Sequence, residues 1–456
     1  MHVVIVGVGK IGSIICRELA DDHDVVVIER NRDLLETFIN TTDVTGIVGN
    51  GIEYDTLIDA EAPHCDVFIA VTAHDEINMI ACIFAKRMGA KFTIARVREH
   101  EYALHQGFMK ESVGIDAIIN PEGESARQIM NLLRFPASAR VESFLRGRVN
   151  IVEYQLPEGH PLVGLSLAQF QSQFSGHVLI CIVERGGQAI IPNGTFVLEA
   201  DDILHISGSS KDLLSFYRQD SRFSHQRKVK SIMIIGGGRL THYLLDEIKK
   251  SQIKYHVKVL ERNRQNAELL AELHPDIEVL FADGSDYRQL EEASMRSHDC
   301  LITLTGIDEE NILISLYALK NGIKHLITKV NRTQLLDILG EQRLKAIITP
   351  GAVIADNIVR ITRALDDARG KDVEALYRLA NNQVEVLQFR VPEGARVSGQ
   401  MLRDLPLKDH ILICAIIHNG ERFFPEGNDV LHENDMIILT TTDHRLRAID
   451  DILIKE

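Results

Sequence analysis

The chain has 456 residues, of which 45% are hydrophobic and 25% are charged, so it is long enough for about three or four soluble domains. Its formal net charge of −15 disfavours binding to nucleic acid and to an anionic membrane surface, and we expect no nucleic-acid partner. No apolar run approaches the roughly 18–20 residues that span a bilayer, and the first residues do not resemble a signal peptide. The six cysteines show no CxxC pair and no metal-ligand spacing, which predicts reduced, buried thiols.

The first part of the chain alternates short β-branched runs with amphipathic segments of helix length. This alternation predicts a Rossmann-like domain over residues 1–135, with a doubly wound parallel sheet and helices on both faces. A long helix over Pro121–Leu133 is expected to close it. The predicted strands are Val3–Val6, Val25–Ile28, Val67–Val71, Thr93–Val97 and Ala117–Ile119.

The pattern changes after this helix. A strand, a Pro-Glu-Gly turn and a short helix precede strands that are joined by turns at Gly186-Gly187 and Asn193-Gly194. We therefore predict a small α+β domain over residues 140–218. The polar segment Arg218–Lys230 is then expected to be a linker.

The whole arrangement repeats with a period of about 233 residues. Residues 67–97 align without a gap to residues 300–330, which pairs Thr72 with Thr305. The small α+β segments match as well, including their Pro-Glu-Gly turns. The fold class is therefore predicted to be a duplicated α/β architecture, with a second Rossmann-like domain and a second small domain over residues 229–365 and 372–456.

A glycine motif lies between the first strand and the first helix, as Gly7-Val8-Gly9-Lys10-Ile11-Gly12. The first glycine permits a tight turn, the second lets a pyrophosphate approach the backbone, and the third permits contact between helix and strand. Phosphates would then lie at the helix N-terminus. Glu29 follows Gly12 by 17 residues and ends the second strand, where a carboxylate binds ribose hydroxyls and repels the additional phosphate of NADP. This motif predicts nucleotide binding.

The second copy differs from this pattern. Its motif is Gly236-Gly237-Gly238-Arg239-Leu240-Thr241, so Thr241 replaces the third glycine, while Glu261 keeps the ribose-type carboxylate. Two alternatives stay open: a nucleotide site with an altered fit, and a vestigial site that is kept for the fold. Arg239 is correspondingly either a phosphate ligand or a solvated surface residue.

Other polar pairs follow the remaining predicted strands, at the edge where open α/β sheets bind their ligands. An Asn or Asp oxygen can bind adenine or ribose, a Thr loop can line an adenosine, and a cation can pair with phosphate. These residues equally suit loop structure or helix capping, and Thr72 and Asp75 both suit an N-cap. The pairs are Asn50-Gly51 with Asp283-Gly284, Thr72-Ala73 with Thr305-Gly306, Asp75 with Asp308, and Arg96 with Lys329.

Taken together, the glycine motif, Glu29, the segment VTAHDEIN and the following α+β domain resemble the RCK family, also called KTN. Two such units in one chain are similar to the regulatory subunits of bacterial Trk potassium-uptake systems. The resemblance implies a cytoplasmic homo-oligomeric ring, a tetramer of two-unit chains, on the inner face of the inner membrane. It also implies a membrane-embedded potassium transporter as partner, with NAD(H), and in several members ATP or ADP, as the ligand that gates transport.

The resemblance further implies which residues contact the nucleotides. Asn50 stands where the family usually has Asp, which bears on the nucleotide that the first site prefers. The implied contacts of the first copy are Gly7–Ile11, Glu29, Asn50, Thr72, Ala73 and Arg96. Those of the second copy are Gly236–Leu240, Glu261, Asp283, Thr305 and Lys329.

The competing class is an NAD-dependent oxidoreductase. Hydride transfer needs an acid or base beside the nicotinamide, and the small domains show no arrangement of that kind. His177 and His410 open apolar strands and are expected to be structural, and the His- and Glu-rich residues 98–105 are expected to form a solvated helix. The sequence thus favours a regulator over an enzyme. Another cation channel or antiporter is an alternative target.

Overall fold

The structure is a computed structural model of the chain. Most of the linker predicted over Arg218–Lys230, and residues 100–105 of the predicted solvated helix, lie outside the described residues. Within the described residues, no helix combines the length and the apolar character needed to cross a bilayer. The described residues are 1–99, 113–135, 141–144, 149–174, 176–219, 229–251, 253–332, 335, 344, 346–367, 373–380, 383–418, 421–443, 446 and 448–454.

The first Rossmann-like sheet has six parallel strands. They are β1 His2–Val6, β2 Asp24–Glu29, β3 Thr45–Val48, β4 Val67–Ala70, β5 Phe92–Arg96 and β6 Ala117–Ile119. The helices are α1 Lys10–Ala20, α2 Arg32–Ile39, α3 Tyr54–Asp59, α4 Asp75–Met88 and α5 Pro121–Arg134. The strand order β3-β2-β1-β4-β5-β6 changes direction between β1 and β4, which is the switch point where such sheets bind ligands. The predicted parallel fold is confirmed.

The first small domain has a five-stranded antiparallel sheet in the order β10-β9-β11-β8-β7, counted along the chain. Its strands are β7 Val141–Phe144, β8 Val149–Gln155, β9 Val178–Arg185, β10 Gln188–Ile190 and β11 Ile203–Gly208. Its helices are α6 Leu167–Gln173 and α7 Ser210–Gln219. A capping box of Ser166 and Gln169 begins α6, which fixes the predicted short helix.

The second Rossmann-like sheet repeats the order of the first, as β14-β13-β12-β15-β16-β17. Its strands are β12 Ser231–Ile235, β13 His256–Glu261, β14 Glu278–Phe281, β15 Cys300–Thr303, β16 His325–Lys329 and β17 Ala346–Ile348. Its helices are α8 Arg239–Lys250, α9 Arg264–Leu273, α10 Tyr287–Glu292, α11 Asp308–Lys320 and α12 Pro350–Asp367.

The second small domain again has five antiparallel strands, in the order β18-β19-β22-β20-β21. They are β18 Val373–Leu379, β19 Val384–Arg390, β20 Ile411–His418, β21 Glu421–Phe423 and β22 Met436–Thr441. Single 3₁₀ turns at Leu402–Asp404 and Ile449–Ile452 stand in the chain where the first small domain has its two helices.

The four domains do not associate in chain order. The chain divides into two compact units, and each unit combines segments of both copies. Unit 1 consists of Met1–Leu133 and Arg227–Thr362 and therefore holds both Rossmann-like sheets. Unit 2 consists of Arg134–Gln226 and Arg363–Glu456 and holds both small sheets. Like domains thus pair with like, an arrangement that the sequence did not predict.

Helix α5 explains much of the pairing in unit 1. Its residues Ala126, Ile129 and Met130 are buried in the same hydrophobic cluster as Ile232 and Leu244, which belong to the second sheet and its first helix. We call the segments Met1–Leu133 and Arg227–Thr362 the first and second halves of unit 1. The first half thus contributes part of the hydrophobic core of the second half. Since burial of each such side chain stabilises the fold by about 1.5–3 kcal/mol, the two halves are expected to fold as one unit.

Unit 2 is held together by a smaller buried cluster from both copies, in which Cys181 of β9 and Cys414 of β20 take part. The side-chain amide of Gln383 adds two hydrogen bonds: its oxygen accepts from the Ala189 N–H at 2.9 Å, and its nitrogen donates to the Gly187 carbonyl at 2.9 Å. All six cysteines are buried and free, as the sequence predicts. Burial raises the pKa of Cys181 far above its ordinary value, as expected for a structural thiol.

Candidate functional site

The first glycine loop has the geometry that its sequence predicts. Gly7 has a left-handed φ of +99°, and its N–H donates to the Ile28 carbonyl at 2.8 Å. A Cβ on Gly12 would lie 1.9 Å from the Gly7 carbonyl oxygen, so only glycine fits there. Gly9 is the N-cap of α1, and the space where its Cβ would stand is open to 4 Å among the described residues. The first N–H groups of a helix have no carbonyl partner within it, and at the start of α1 the residues Gly9, Lys10 and Ile11 line a cavity.

Glu29 has a structural role that the sequence did not show. Its Oε2 accepts a hydrogen bond from the Val8 N–H at 3.0 Å, and its Oε1 accepts from the Asn31 N–H at 2.9 Å. The carboxylate thus ties the glycine loop to the end of β2. A ribose at this position would share the carboxylate with the loop, so its binding would be linked to the state of the loop.

The second copy repeats this contact. Glu261 Oε2 accepts from the Gly237 N–H at 2.5 Å, and its Oε1 accepts from the Asn263 N–H at 2.6 Å. Gly236 has a φ of +101°, close to that of its counterpart in the first loop. The two loops therefore use the same pair of devices, a left-handed glycine and a carboxylate at the end of the neighbouring strand.

Thr241 is accommodated without loss of the second loop. Its hydroxyl donates to the Gly236 carbonyl oxygen at 2.5 Å, and its N–H donates to the Gly238 carbonyl at 2.9 Å. The second bond spans three residues and tightens the first turn of α8. The side chain thus makes a hydrogen bond to the carbonyl that would clash with a Cβ in the first copy. Loss of the third glycine does not by itself make the second loop vestigial.

The polar residues after β3 and β14 differ in their partners. Asn50 Oδ1 is buried and has no hydrogen-bond partner among the described residues. Asp283 Oδ1, by contrast, accepts from the N–H and the hydroxyl of Ser285 at 2.9 and 2.7 Å. Gly51 and Gly284 bring these loops so close to β1 and β12 that a Cβ would lie 2.3 Å from a strand side chain. Asn50 therefore has an unpaired acceptor among the described residues, whereas Asp283 holds its own turn.

The threonine loops are organised by two residues whose role the sequence did not show, Asn78 and Asn311. The Oδ1 of Asn78 accepts from the N–H and the hydroxyl of Thr72 at 2.8 and 2.7 Å, and its Nδ2 donates to the Arg96 carbonyl at 2.9 Å. Asn311 makes the equivalent bonds to Thr305, at 3.0 and 2.8 Å. Both asparagines are fully buried. Their only sequence signal is that they align between the two copies.

The predicted phosphate cations also contact these loops. The Arg96 guanidinium donates to the Thr72 carbonyl at 2.7 Å, and the Lys329 ammonium donates to the Thr305 carbonyl at 3.1 Å. Burial lowers the pKa of both groups, because each charge is partly removed from water. An anion bound next to Arg96 or Lys329 would raise the pKa of that group again, because it stabilises the positive charge.

The helix-capping expectation for Thr72 and Asp75 is wrong. The N-cap of α4 is His74, and Asp75 is the first residue of the helix. The Asp75 carboxylate instead accepts from the backbone N–H groups of Arg98 and Glu99, at 2.7 and 2.9 Å. It therefore fixes the segment that follows β5, which the sequence could not show because the partners are more than twenty residues away.

Residues from both halves of unit 1 line one cavity of about 380 Å³. The predicted residues that it brings together are Gly9, Lys10, Ile11, Ala73, Arg96, Gly238, Arg239, Leu240 and Lys329. The remaining predicted residues lie outside its lining: Gly7, Val8, Gly12, Glu29, Asn50, Gly51, Thr72, Gly236, Gly237, Glu261, Asp283, Gly284, Thr305 and Gly306. The lining residues to which the sequence gave no role are Val71, Arg98, Pro121, Glu122, Leu304, Asn331, Pro350 and Gly351.

Two ion pairs lie at this cavity. Arg98 Nε is 3.0 Å from Glu122 Oε1, within the first half. Arg239, the first residue of α8, crosses between the halves, and its guanidinium is 2.8 Å from Glu99 Oε1. Arg239 is thus neither a plain surface residue nor, in this structure, free for a phosphate.

Comparison with known proteins gives the family. Residues 3–121 and 232–350 each match the TrkA-N domain, and residues 151–220 and 386–454 each match the TrkA-C domain. The chain belongs to the TrkA family. The tandem organisation predicted from the repeat is thereby confirmed.

Relatives of similar length carry the same domains. The Trk system potassium uptake protein TrkA of Halomonas elongata is 28% identical over 449 residues, covering 98% of this chain and 96% of the relative. A TrkA homologue of Archaeoglobus fulgidus is 27% identical over 452 residues, covering 99% of this chain and all of the relative. These TrkA proteins are named for potassium uptake and not for a catalysed reaction. The prediction that the chain is not an enzyme is confirmed by this family membership.

Solved structures support the fold. The GsuK channel has a TM-score of 0.60 and 18% sequence identity, with 97% of this chain and 77% of that chain covered. The same channel solved bound to NAD gives the same values. At this identity the likeness establishes the TrkA-type fold alone.

Proposed function

We propose that the chain is the nucleotide-binding regulatory subunit of a Trk-type potassium transporter and that it gates potassium uptake in response to NAD(H), ATP or ADP. Full-length similarity to proteins named for potassium uptake supports the transport role. The NAD-bound GsuK channel, which has the same fold, supports the ligand class.

One observation carries the proposal: the helix that follows each glycine loop begins at a single cavity between the two halves of unit 1. A ligand at either loop therefore acts at the boundary between the halves. A nucleotide that binds one arrangement of the halves more tightly shifts the population towards that arrangement, by as much as its affinities differ. Such a shift is the elementary step by which binding could control a transporter.

We propose nucleotide contacts at both loops, and the structure bears on their roles. The carboxylates Glu29 and Glu261 bind ribose, the helix N-termini bind phosphates, and the free Asn50 Oδ1 takes a hydrogen bond from the nucleoside. The proposed set in the first half is Gly7–Gly12, Glu29, Asn50, Gly51, Thr72, Ala73 and Arg96. In the second half it is Gly236–Leu240, Glu261, Asp283, Gly284, Thr305, Gly306 and Lys329.

The proposed assembly is a homo-oligomeric ring, a tetramer of two-unit chains, on the cytoplasmic face of the inner membrane. The membrane-embedded transporter subunit is its partner. Closed rings are the usual form of a repeated self-association, and two sites in each chain permit cooperative switching.

Calorimetric titration of the full chain tests ligand binding. NADH, NAD⁺, ADP and ATP are each expected to bind, and NADPH is expected to bind weakly because two carboxylates repel its additional phosphate. Glu29→Ala and Glu261→Ala are each expected to remove one class of site. Glu36→Ala is the matched control, since Glu36 is an exposed carboxylate on α2 paired only loosely with Arg32, at 3.5 Å. Wild-type protein that binds none of these nucleotides would contradict the proposal.

Potassium flux tests the regulatory role. The chain is added to vesicles that contain a Trk-type transporter, and potassium uptake is measured with and without NADH, ATP and ADP. The proposal expects flux to depend both on the chain and on the nucleotide. Nucleotide binding without any effect on this flux would point to a different cation channel or antiporter as the target.

A further inference from the structure

The cavity of unit 1 joins the two loops at their phosphate ends. Gly9–Ile11 and Gly238–Leu240 line it, so the N-termini of α1 and α8 both open into the same space. The ribose carboxylates Glu29 and Glu261 do not line it. A nucleotide on either loop would therefore direct its phosphates into the cavity and keep its nucleoside outside.

The side chains around this cavity carry a net positive charge, which favours an anionic ligand. Among the described lining residues, the cations are Lys10, Arg96, Arg98, Arg239 and Lys329, and Glu122 is the one carboxylate. Arg98 Nε lies 3.0 Å from Oε1 of that carboxylate, whereas its Oε2 is buried and has no hydrogen-bond partner among the described residues. The Nε of Arg96 is buried and has no hydrogen-bond partner among the described residues. Burial also lowers the pKa values of Arg96 and Lys329, the direction expected where neighbouring anions do not offset the loss of water.

The size of the cavity limits what can occupy it. Ligand pockets commonly enclose about 300–1,000 Å³, and this one, at about 380 Å³, is near the lower end. It suits a chain of phosphates better than two nucleosides, which have their own positions at the ends of β2 and β13. One cavity with two helix N-termini thus has room for one oligophosphate.

We propose that the cavity is a binding site for a dinucleoside oligophosphate, one nucleoside at each glycine loop and the phosphate chain between α1 and α8. The inference rests on the proposed function, because it assigns both loops to nucleosides. A single molecule that engages both loops gains from effective concentration, so it is expected to bind about 10²-fold or more tighter than a mononucleotide.

Glu99 competes with the phosphates of this ligand for the Arg239 guanidinium. Its ion pair with Arg239 must open when phosphates approach, but both side chains are about half exposed, and such pairs contribute little. The positions equivalent to Arg239 and Glu99 in the other pair of segments are Lys10 and Arg332, and the Arg332 guanidinium already pairs with Asp308 and Glu309. The bound ligand would therefore replace the Arg239–Glu99 pair and leave the ion pairs of Arg332 in place.

Calorimetry with a series of ligands of increasing phosphate number tests the proposal on the full chain. Diadenosine triphosphate, tetraphosphate, pentaphosphate and hexaphosphate are compared with ADP, ATP and inorganic tripolyphosphate. We expect one diadenosine ligand per chain, two ADP per chain, and an affinity maximum at the phosphate number that matches the span between the loops. Glu29→Ala and Glu261→Ala should each lower the affinity of the best ligand to that of ADP. Lys250→Ala, an exposed lysine at the far end of α8, is the matched control and should change nothing.

Three results would overturn the inference. Two diadenosine ligands per chain with the affinity of ADP would show separate sites. Tripolyphosphate as tight as the diadenosine ligands would show a site for bare polyanions. An increase in the mass of the assembly on ligand addition, measured by light scattering, would show that the ligand joins two chains and does not join the two loops of one chain. In each case ADP or NADH binding at both loops would leave the proposed function standing, whereas loss of all nucleotide binding would defeat both.

Discussion

At the scale of single residues, Glu29 and Glu261 each combine a predicted role with an observed one. The sequence predicts a ribose ligand from their position at the end of a strand, and the structure adds that each carboxylate holds its own glycine loop, through Val8 and Gly237. The second role could not be predicted, because it depends on where the loop folds relative to the strand. A substitution at these positions is therefore expected to change both the proposed ligand contact and the loop.

Glu29→Gln separates the two roles. The amide oxygen of Gln can still accept from the Val8 N–H, but the charge that strengthens bonds to ribose hydroxyls is lost. Hydrogen bonds to charged groups contribute about 1.5–3 kcal/mol, so NADH should bind about tenfold or more weakly at the first loop, and NADPH should be rejected less strongly. Calorimetry with both nucleotides measures this. Unchanged affinity together with unchanged rejection of NADPH would show that Glu29 does not contact the ribose.

Glu99→Gln tests the ion pair with Arg239. The pair is about half exposed, so its loss should lower the free energy of unfolding by about 1 kcal/mol at most. Freed Arg239 should raise the affinity for ADP and make it more sensitive to salt. Denaturant unfolding and ADP titration at two salt concentrations give both values, with Glu36→Gln as control. A lower affinity for ADP in the variant would contradict the role of Arg239 as a cation that phosphates can reach.

At the scale of elements, the sequence predicted most strands because their residues are buried on both faces and therefore apolar throughout. It missed β3, whose residues Thr45–Val48 are half-exposed at the edge of the sheet and form no apolar run. It also allowed N-caps at Thr72 and Asp75, although the Thr72 hydroxyl bonds to Asn78 and the Asp75 carboxylate bonds to the segment after β5. The predictions that failed at this scale concern features that depend on contacts between elements. The residue pattern within a single strand or helix does not show such contacts.

The contrast between Gly12 and Thr241 gives a prediction about α1. Gly12→Ala places a Cβ where it would lie 1.9 Å from the Gly7 carbonyl oxygen, so the start of α1 must move away from β1. We expect this variant to lose the first nucleotide site and keep the second, which halves the calorimetric stoichiometry for ADP. Thr241→Ser is the matched variant, since it keeps the hydroxyl that bonds to Gly236, and both sites should remain. Two intact sites in Gly12→Ala would contradict the assigned role of the third glycine.

At the scale of the whole molecule, the repeat predicted the number and kind of domains but not their association. The sequence suggests two successive units, whereas the structure groups the two Rossmann-like halves into one unit and the two small domains into another. The reason lies in helix α5, whose apolar face is completed by the second half. A helix pattern shows that one face is buried and does not show which partner covers it.

Ile129→Ala tests this pairing. Ile129 is fully buried in the cluster shared with the second half, so truncation should destabilise unit 1 by about 2–5 kcal/mol. Hydrogen exchange should show faster opening in both halves, at α5 and at β12 alike. Gln128→Ala, exposed on the same helix, is the control and should have little effect. Faster exchange confined to the first half would show that the halves fold separately.

Two nucleotide sites at the boundary between the halves are tested most directly by hydrogen–deuterium exchange of the full chain with and without saturating NADH and ADP. We predict slower exchange at both glycine loops, residues 7–12 and 236–241, and at residues 96–99, where Glu99 pairs with Arg239 beside the shared cavity. Protection at both loops together with a change at residues 96–99 would support two nucleotide sites that act on the boundary between the halves. Exchange that stays unchanged at both loops when NADH or ADP is saturating would show that these nucleotides bind elsewhere, and it would contradict both proposed sites.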